Sequence, residues 1–230
     1  MSLKLIVALD FDNEKTALDL VDQLDSQHCA LKVGSELFTL LGPQFIKQLV
    51  ARNFKVFLDL KFHDIPNTVA KACHSAADLG VWMMNVHASG GSKMLEAAKT
   101  ALDTYGKDRP LLIAVTILTS FSENDLIAIG VNSSLMDQVK QLAKLSKQSG
   151  LDGVVCSAHE SVVIQQICGE QFLTVTPGIR LPSDSLDDQS RVMTPSQAIQ
   201  AGSHYLVIGR PITRAENPSS VVSKILKDIS

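Results

Sequence analysis

The sequence predicts a single (β/α)8 barrel with parallel strands over residues 1–230, and three observations carry that expectation. Short β-rich runs alternate with longer segments of helical periodicity, the pattern of βα units around a parallel sheet. Eight such units follow one another without the shift in composition that would mark a linker. Polar residues collect just after the apolar runs, at the carboxyl ends of the strands, where barrel enzymes keep their active sites.

The runs expected as strands are residues 5–9, 30–33, 55–60, 82–87, 111–118, 153–156, 173–176 and 205–208. Helix candidates lie between them at 14–25, 43–52, 66–79, 91–102, 136–149, 159–168, 195–201 and 218–228. Pro66, Pro195 and Pro218 each suit a first helical position, where the missing N–H is harmless. Strict alternation favours a closed barrel over an open doubly wound sheet, the competing architecture. A chain of 230 residues fits one domain of this kind.

Composition narrows the functions. At 45% hydrophobic and 20% charged residues the chain resembles an ordinary globular protein. A formal net charge of -3 provides no broad cationic field for nucleic acid or anionic lipid, so a small-molecule partner is expected. The longest apolar stretches, such as 111–115, are far shorter than the roughly 20 residues that cross a bilayer. The first residues run through a short apolar segment into Asp10 and Asp12 without a cleavage pattern, so a soluble, cytoplasmic protein is expected. Cys29, Cys73, Cys156 and Cys168 have no CxxC spacing and read as buried free thiols.

The strand-end residues are Asp10, Lys32, Asp59, Lys61, His87, Thr119, Pro177 and the pair Gly209-Arg210. Among them Asp59 and Lys61 stand two apart, so on a strand their side chains share one face and should meet inside the barrel. Asp64 lies just beyond, in a loop that could return to the same mouth. An ordinary ion pair, with Asp64 favouring a helix N-terminus, is the plain alternative. The cost of burying charges without a use weighs against it. Flanking carboxylates would keep Lys61 as an ammonium, each close pair contributing on the order of a few kcal/mol at an effective dielectric near 20. Such a lysine is a poor Schiff-base nucleophile and a good proton donor.

The loops after the seventh and eighth strands often bind phosphate in such barrels. The segment 177–189 is long for a connection and reads as a lid carrying Arg180. The next strand ends in Gly209-Arg210, a glycine for close backbone approach and a guanidinium for bidentate contact. His63 and His87 lack the convergent acids a metal site needs and read as packed or hydrogen-bonded histidines. Ser89-Gly90-Gly91 reads as a glycine turn rather than an anion cradle.

Together these motifs closely resemble orotidine 5'-phosphate decarboxylase of the bacterial type, over essentially the whole length. The resemblance is carried by Val7-Ala-Leu-Asp10, Leu31-Lys-Val-Gly34, Asp59-Leu-Lys-Phe-His-Asp-Ile-Pro-Asn-Thr68, Thr116-Ile-Leu-Thr119, Thr176-Pro-Gly-Ile-Arg180, Gln189 and Ile208-Gly-Arg-Pro211. The Asp-x-Lys-x-x-Asp element is shared with related barrels, whereas its extension through Ile65-Pro66-Asn67-Thr68 and the phosphate loop are specific. The resemblance implies conversion of orotidine 5'-phosphate to UMP and carbon dioxide, the last step of UMP synthesis, with no cofactor and no metal. It makes Lys61 the proton donor to C6, held by Asp59 and Asp64. Asp10 and Lys32 would contact the ribose, Thr119 and Pro177 the base, and Arg180, Gln189, Gly209 and Arg210 the phosphate. It also implies a homodimer in which Asp64, Ile65 and Thr68 enter the partner's site.

Two rivals remain at this point. A magnesium-dependent sugar-phosphate decarboxylase or aldolase of the same barrel group shares the Asp-x-Lys-x-x-Asp element, but the Lys32 cation would repel magnesium where those relatives carry a glutamate. A catalytically silent nucleotide-phosphate sensor would need the phosphate grip alone.

Overall fold

The computed structural model describes residues 3–181 and 193–229. Eight parallel strands close in sequence order: β1 (Leu5–Ala8), β2 (Ala30–Gly34), β3 (Val56–Phe62), β4 (Met83–His87), β5 (Leu111–Val115), β6 (Gly153–Val155), β7 (Leu173–Thr176) and β8 (Tyr205–Ile208). Closure is made where β1 meets β8, with Leu5 beside Leu206 and Val7 beside Ile208. The expected barrel is the observed fold, and the open sheet is excluded because β1 and β8 leave no free edge between them.

Around the barrel run α1 (Glu14–Val21), α2 (Ser35–Ala51), α3 (Pro66–Ala77), α4 (Ser92–Asp103), α5 (Glu123–Ala128), α6 (Leu135–Gln148), α7 (Ser161–Cys168), α8 (Pro195–Gln200), α9 (Arg210–Thr213) and α10 (Pro218–Asp228). Their starts follow local chemistry. Asn13 accepts the Thr16 amide, Ser134 that of Asp137 and Asn217 that of Ser220, while Pro66, Pro195 and Pro218 open their helices as expected. None of the described helices is long and apolar enough to cross a membrane.

Several elements differ from expectation. A helical segment does start at Pro43, as expected, after the non-helical Gly42 (φ 67°, ψ -164°), while the helical stretch that precedes it from Ser35 is not expected from the sequence. The short helices α5 and α9 were not expected, being too brief to show a periodic pattern. Strand β5 stops at Val115, and residues 116–119 leave the sheet at the barrel mouth.

Alternation along the strands divides the apolar residues into two layers. Leu5, Val7, Leu31, Val33, Leu58 and Val86 face the helices. Ile6, Ala8, Ala30, Phe57, Met83, Ile113, Val175 and Val207 fill the barrel interior. Phe57 is 1% exposed at the centre of that inner layer, and its loss to alanine would remove about 3–5 kcal/mol. Trp82 and Tyr205, edge to face with centroids 5.2 Å apart, pack against the inner layer from the amino ends of β4 and β8. A barrel filled from below leaves its polar residues at the carboxyl end. The four cysteines are buried, as expected, and burial pushes the Cys29 and Cys73 thiols up to about 12.

Candidate active site

Residues Phe57 and Asp59 have the same parity in β3, so the inward direction of the core phenylalanine carries over to the carboxylate. The strand is not regular beyond that point. Its ladder pairs Leu58 with Met84 and then Phe62 with Val86, so residues 59–61 stand opposite the single residue Asn85. Lys61 absorbs the excess with a left-handed backbone, φ 52°, a conformation that costs a non-glycine residue of order 1–3 kcal/mol. Simple strand alternation therefore accounts for Asp59, while Lys61 reaches it through a local distortion.

The resulting array alternates in charge. Lys61 Nζ lies 2.8 Å from Asp59 Oδ1, Lys32 Nζ lies 3.5 Å from Asp59 Oδ2, and the same Lys32 donates to Asp10 Oδ1 at 2.9 Å. Burial opposes ionisation of Asp59, but Lys32 and Lys61 outweigh it and hold the carboxyl below its ordinary range. Burial likewise opposes the charge on Lys32, and Asp59 and Asp10 overcome it, leaving its pKa raised. Gly34 makes room for this arrangement, since a Cβ there would approach Lys32 Nζ to 3.1 Å.

Asp64 stands elsewhere. Its side chain accepts the Ile65 amide at 2.6 Å and is exposed, as are Ile65 and Thr68. Asp64 does not return to the mouth of its own barrel: among the described residues, Asp59 is the carboxylate within ion-pair distance of Lys61. The physical reason is local, because α3 starts at Pro66 and commits the chain to a helix before Asp64 can fold back.

A cleft of about 270 Å³ opens over the array. Of the expected residues, Asp10, Lys32, Asp59, Lys61, Thr119, Pro177, Arg180, Gly209 and Arg210 line it. Asp64, Ile65 and Thr68 do not, and Gln189 lies outside the described residues, as does most of the proposed lid. Pro177 leads into Gly178, whose φ of 80° turns the chain so that the Arg180 amide meets the Met193 carbonyl at 3.0 Å. A Cβ at Gly209 would find only ordinary contacts, 3.5 Å to Ala8 and 3.7 Å to Asp10. The missing side chain is therefore not required by packing, and it leaves that wall of the cleft open.

Sequence reasoning missed two parts of the site. Ile117, Leu118, Val155 and Val207 form an apolar wall, which looked like ordinary core. Asn85, 0% exposed in β4, accepts the Lys61 amide at 2.8 Å and donates to Asp59 Oδ1 at 2.7 Å. Its signal was a polar residue inside the apolar run Met83-Met-Asn-Val-His87. His87 stacks on His63 with centroids 5.5 Å apart, and burial, then His63 and Lys61, push its pKa down, so it is a neutral packed ring. Among the described residues no group of three His, Cys, Asp or Glu could hold a metal ion.

One wall of the cleft can thus donate a proton, and two guanidinium groups can hold an anion. A sequence model of the orotidine 5'-phosphate decarboxylase / HUMPS family matches residues 3–225. The chain belongs to that family. The orotidine 5'-phosphate decarboxylase of Legionella pneumophila (strain Paris) is 70% identical over 229 residues, covering 100% of both chains. That of Haemophilus influenzae (strain PittEE) is 61% identical over 225 residues, covering 98% of each. In three dimensions the orotidine 5'-phosphate decarboxylase of Lactobacillus acidophilus superposes with a TM-score of 0.89 at 41% identity, covering 100% of both chains. An uncharacterized conserved protein of Geobacillus kaustophilus gives 0.88 at 39% identity, covering 98% of this chain and 100% of its own. Family membership thus extends over the whole barrel, including every strand end that lines the cleft.

Proposed function

We propose that this chain is an orotidine 5'-phosphate decarboxylase, a carboxy-lyase that forms UMP in the last step of its synthesis, with residues 1–230 acting as one cytoplasmic catalytic domain. The reading is carried by one observation: the Lys61 ammonium, 2.8 Å from a carboxylate held ionised, borders a cleft that also contains Arg180 and Arg210. The full-length relatives bearing that name support it.

In this mechanism the bond from C6 to the carboxylate breaks, carbon dioxide leaves, and the electron pair stays on C6. That pair lies in the plane of the pyrimidine, where the ring π system cannot delocalise it well. A preorganised cation beside C6 is then the main stabilising influence, and Lys61 completes the step by giving C6 a proton. Solvent recharges the amine. Asp59 orients the ammonium, and Lys32 keeps Asp59 ionised while Asp10 and Lys32 meet the ribose hydroxyls. Thr119 and Pro177 border the base, and Arg180, Gly209 and Arg210, with Gln189, take the phosphate.

The second acid of the array comes, in this reading, from another copy of the chain. Asp64, Ile65 and Thr68 are exposed and absent from their own cleft, and Ile65 presents an apolar side chain that is 68% exposed. A homodimer with Asp64, Ile65 and Thr68 crossing into the partner's site would use them all. The account needs no cofactor and no metal.

The test is to add orotidine 5'-phosphate to the pure protein in EDTA and follow the ultraviolet change, UMP and released carbon dioxide. Equal yields of UMP and carbon dioxide are expected at the same rate with and without chelator. Absence of turnover by folded protein overturns the reading, and turnover that demands added magnesium supports the metal-dependent rival.

A further inference from the structure

We propose that Asn85 is a positioning residue for the reaction, holding the Lys61 ammonium and the Asp59 carboxylate in one geometry through a single side-chain amide; the proposal rests on the decarboxylase reading above. Asn85 sits between Met84 and Val86 in β4 and is fully buried. A buried amide is unfavourable unless both its ends are hydrogen-bonded. Here both ends are used, and each goes to a member of the charged array.

The carbonyl end accepts the Lys61 amide at 2.8 Å. That amide belongs to the stretch of β3 where the ladder to β4 is interrupted, so the side chain stands in for a strand partner. It thereby supports the left-handed backbone of Lys61 that turns the side chain toward Asp59. The amino end donates at 2.7 Å to Asp59 Oδ1, the same oxygen that accepts Lys61 Nζ at 2.8 Å. Two donors on one oxygen fix the carboxylate in direction as well as in position.

The orientation of the amide is set by its partners. Reversing it would turn its NH₂ on the Lys61 N–H and its carbonyl on the Asp59 carboxylate, with two donors facing in one place and two acceptors in the other. Asn85 itself does not border the cleft, so any effect on the chemistry passes through Lys61 and Asp59. The charged and titratable groups around this position are Asp59 and Lys61 from β3, Lys32 from β2 and the neutral His87 from its own strand, while Ile113 is its neighbour on β5.

Two variants test this. In Asn85→Ala, kcat is expected to fall by about 10²-fold while KM for orotidine 5'-phosphate moves less than about threefold, because the reacting cation is misplaced and the phosphate grip is intact. Asn85→Asp keeps the acceptor for the Lys61 amide, but its carboxyl can donate to Asp59 only when protonated. Its activity relative to the natural sequence is therefore expected to rise as pH falls from about 8 to about 5, in the direction burial and Asp59 push an introduced acid. A merely structural role predicts parallel pH profiles, with kcat and substrate affinity lost together, and that result overturns the proposal. So does an Asn85→Ala enzyme with kcat within about twofold of the natural one. A crystal structure of Asn85→Ala without substrate separates this claim from the decarboxylase reading: Lys61 is expected to leave positive φ and to lose its contact with Asp59. Unchanged geometry there overturns the proposal even if the substrate assignment proves wrong.

Discussion

The side-chain carbonyl of Asn85 receives the backbone N–H of Lys61 at the point where β3 carries three residues against one on β4. The two residues are 24 apart in sequence, yet together they decide how the charged array is built. Strand β3 delivers Asp59 by ordinary alternation, and the distortion beside Asn85 delivers Lys61. Asp59 then lies between two cations rather than Lys61 between two acids of its own chain.

That arrangement makes stability depend on pH in a defined sense. Because the folded-state pKa of Asp59 is depressed, its contribution is complete above the unfolded value of about 3.9 and is lost as pH falls through the lower folded value. Asp59→Asn removes a largely buried partner from two lysines and should lower the unfolding free energy by about 3–5 kcal/mol at neutral pH. Urea unfolding at pH 7 and again well below about pH 4 should show the difference narrowing in acid. An equal difference at both values would deny the depressed carboxyl.

Phosphate contacts remote from the reacting carbon still serve the chemistry if their binding energy closes the site. Arg210→Ala is therefore expected to reduce kcat by at least about tenfold as well as raising KM. Steady-state kinetics with orotidine 5'-phosphate would check it, and a higher KM at unchanged kcat would contradict the coupling.

The composite dimer predicts complementation. Lys61→Ala and Asp64→Ala chains should each be nearly inactive alone. Mixed after reversible unfolding, half the dimers are hybrids and each hybrid has one complete site, so activity should recover to roughly a quarter of the natural level. No gain on mixing, with hybrids demonstrated by mass spectrometry, would place Asp64 outside the partner's site.

Much of this was legible in the sequence, and the exceptions share a cause. The runs that became β7 and β8 were bounded to the residue, because β-rich stretches between turn signals leave little choice. Asp10, Lys32 and Asp59 could be assigned to strand ends because charge interrupts an apolar pattern. Gly42-Pro43 marks a helix start correctly, whereas the helical stretch from Ser35 to that break is not legible in the sequence pattern. Whether Asp64 returns to its own barrel mouth is not legible, because its position depends on where α3 begins, which spacing alone leaves open. Asn85 was missed because its partners lie on a neighbouring strand, and the left-handed backbone of Lys61 carries no mark in residue type.

The most direct measurement is the single-turnover rate of orotidine 5'-phosphate decarboxylation by Lys61→Ala, beside its affinity for UMP. A folded variant that still binds UMP and reacts slower by roughly 10⁴-fold or more is the predicted result, since it loses both the proton donor and the cation beside C6. A rate within about tenfold of the natural chain would contradict the role given to Lys61.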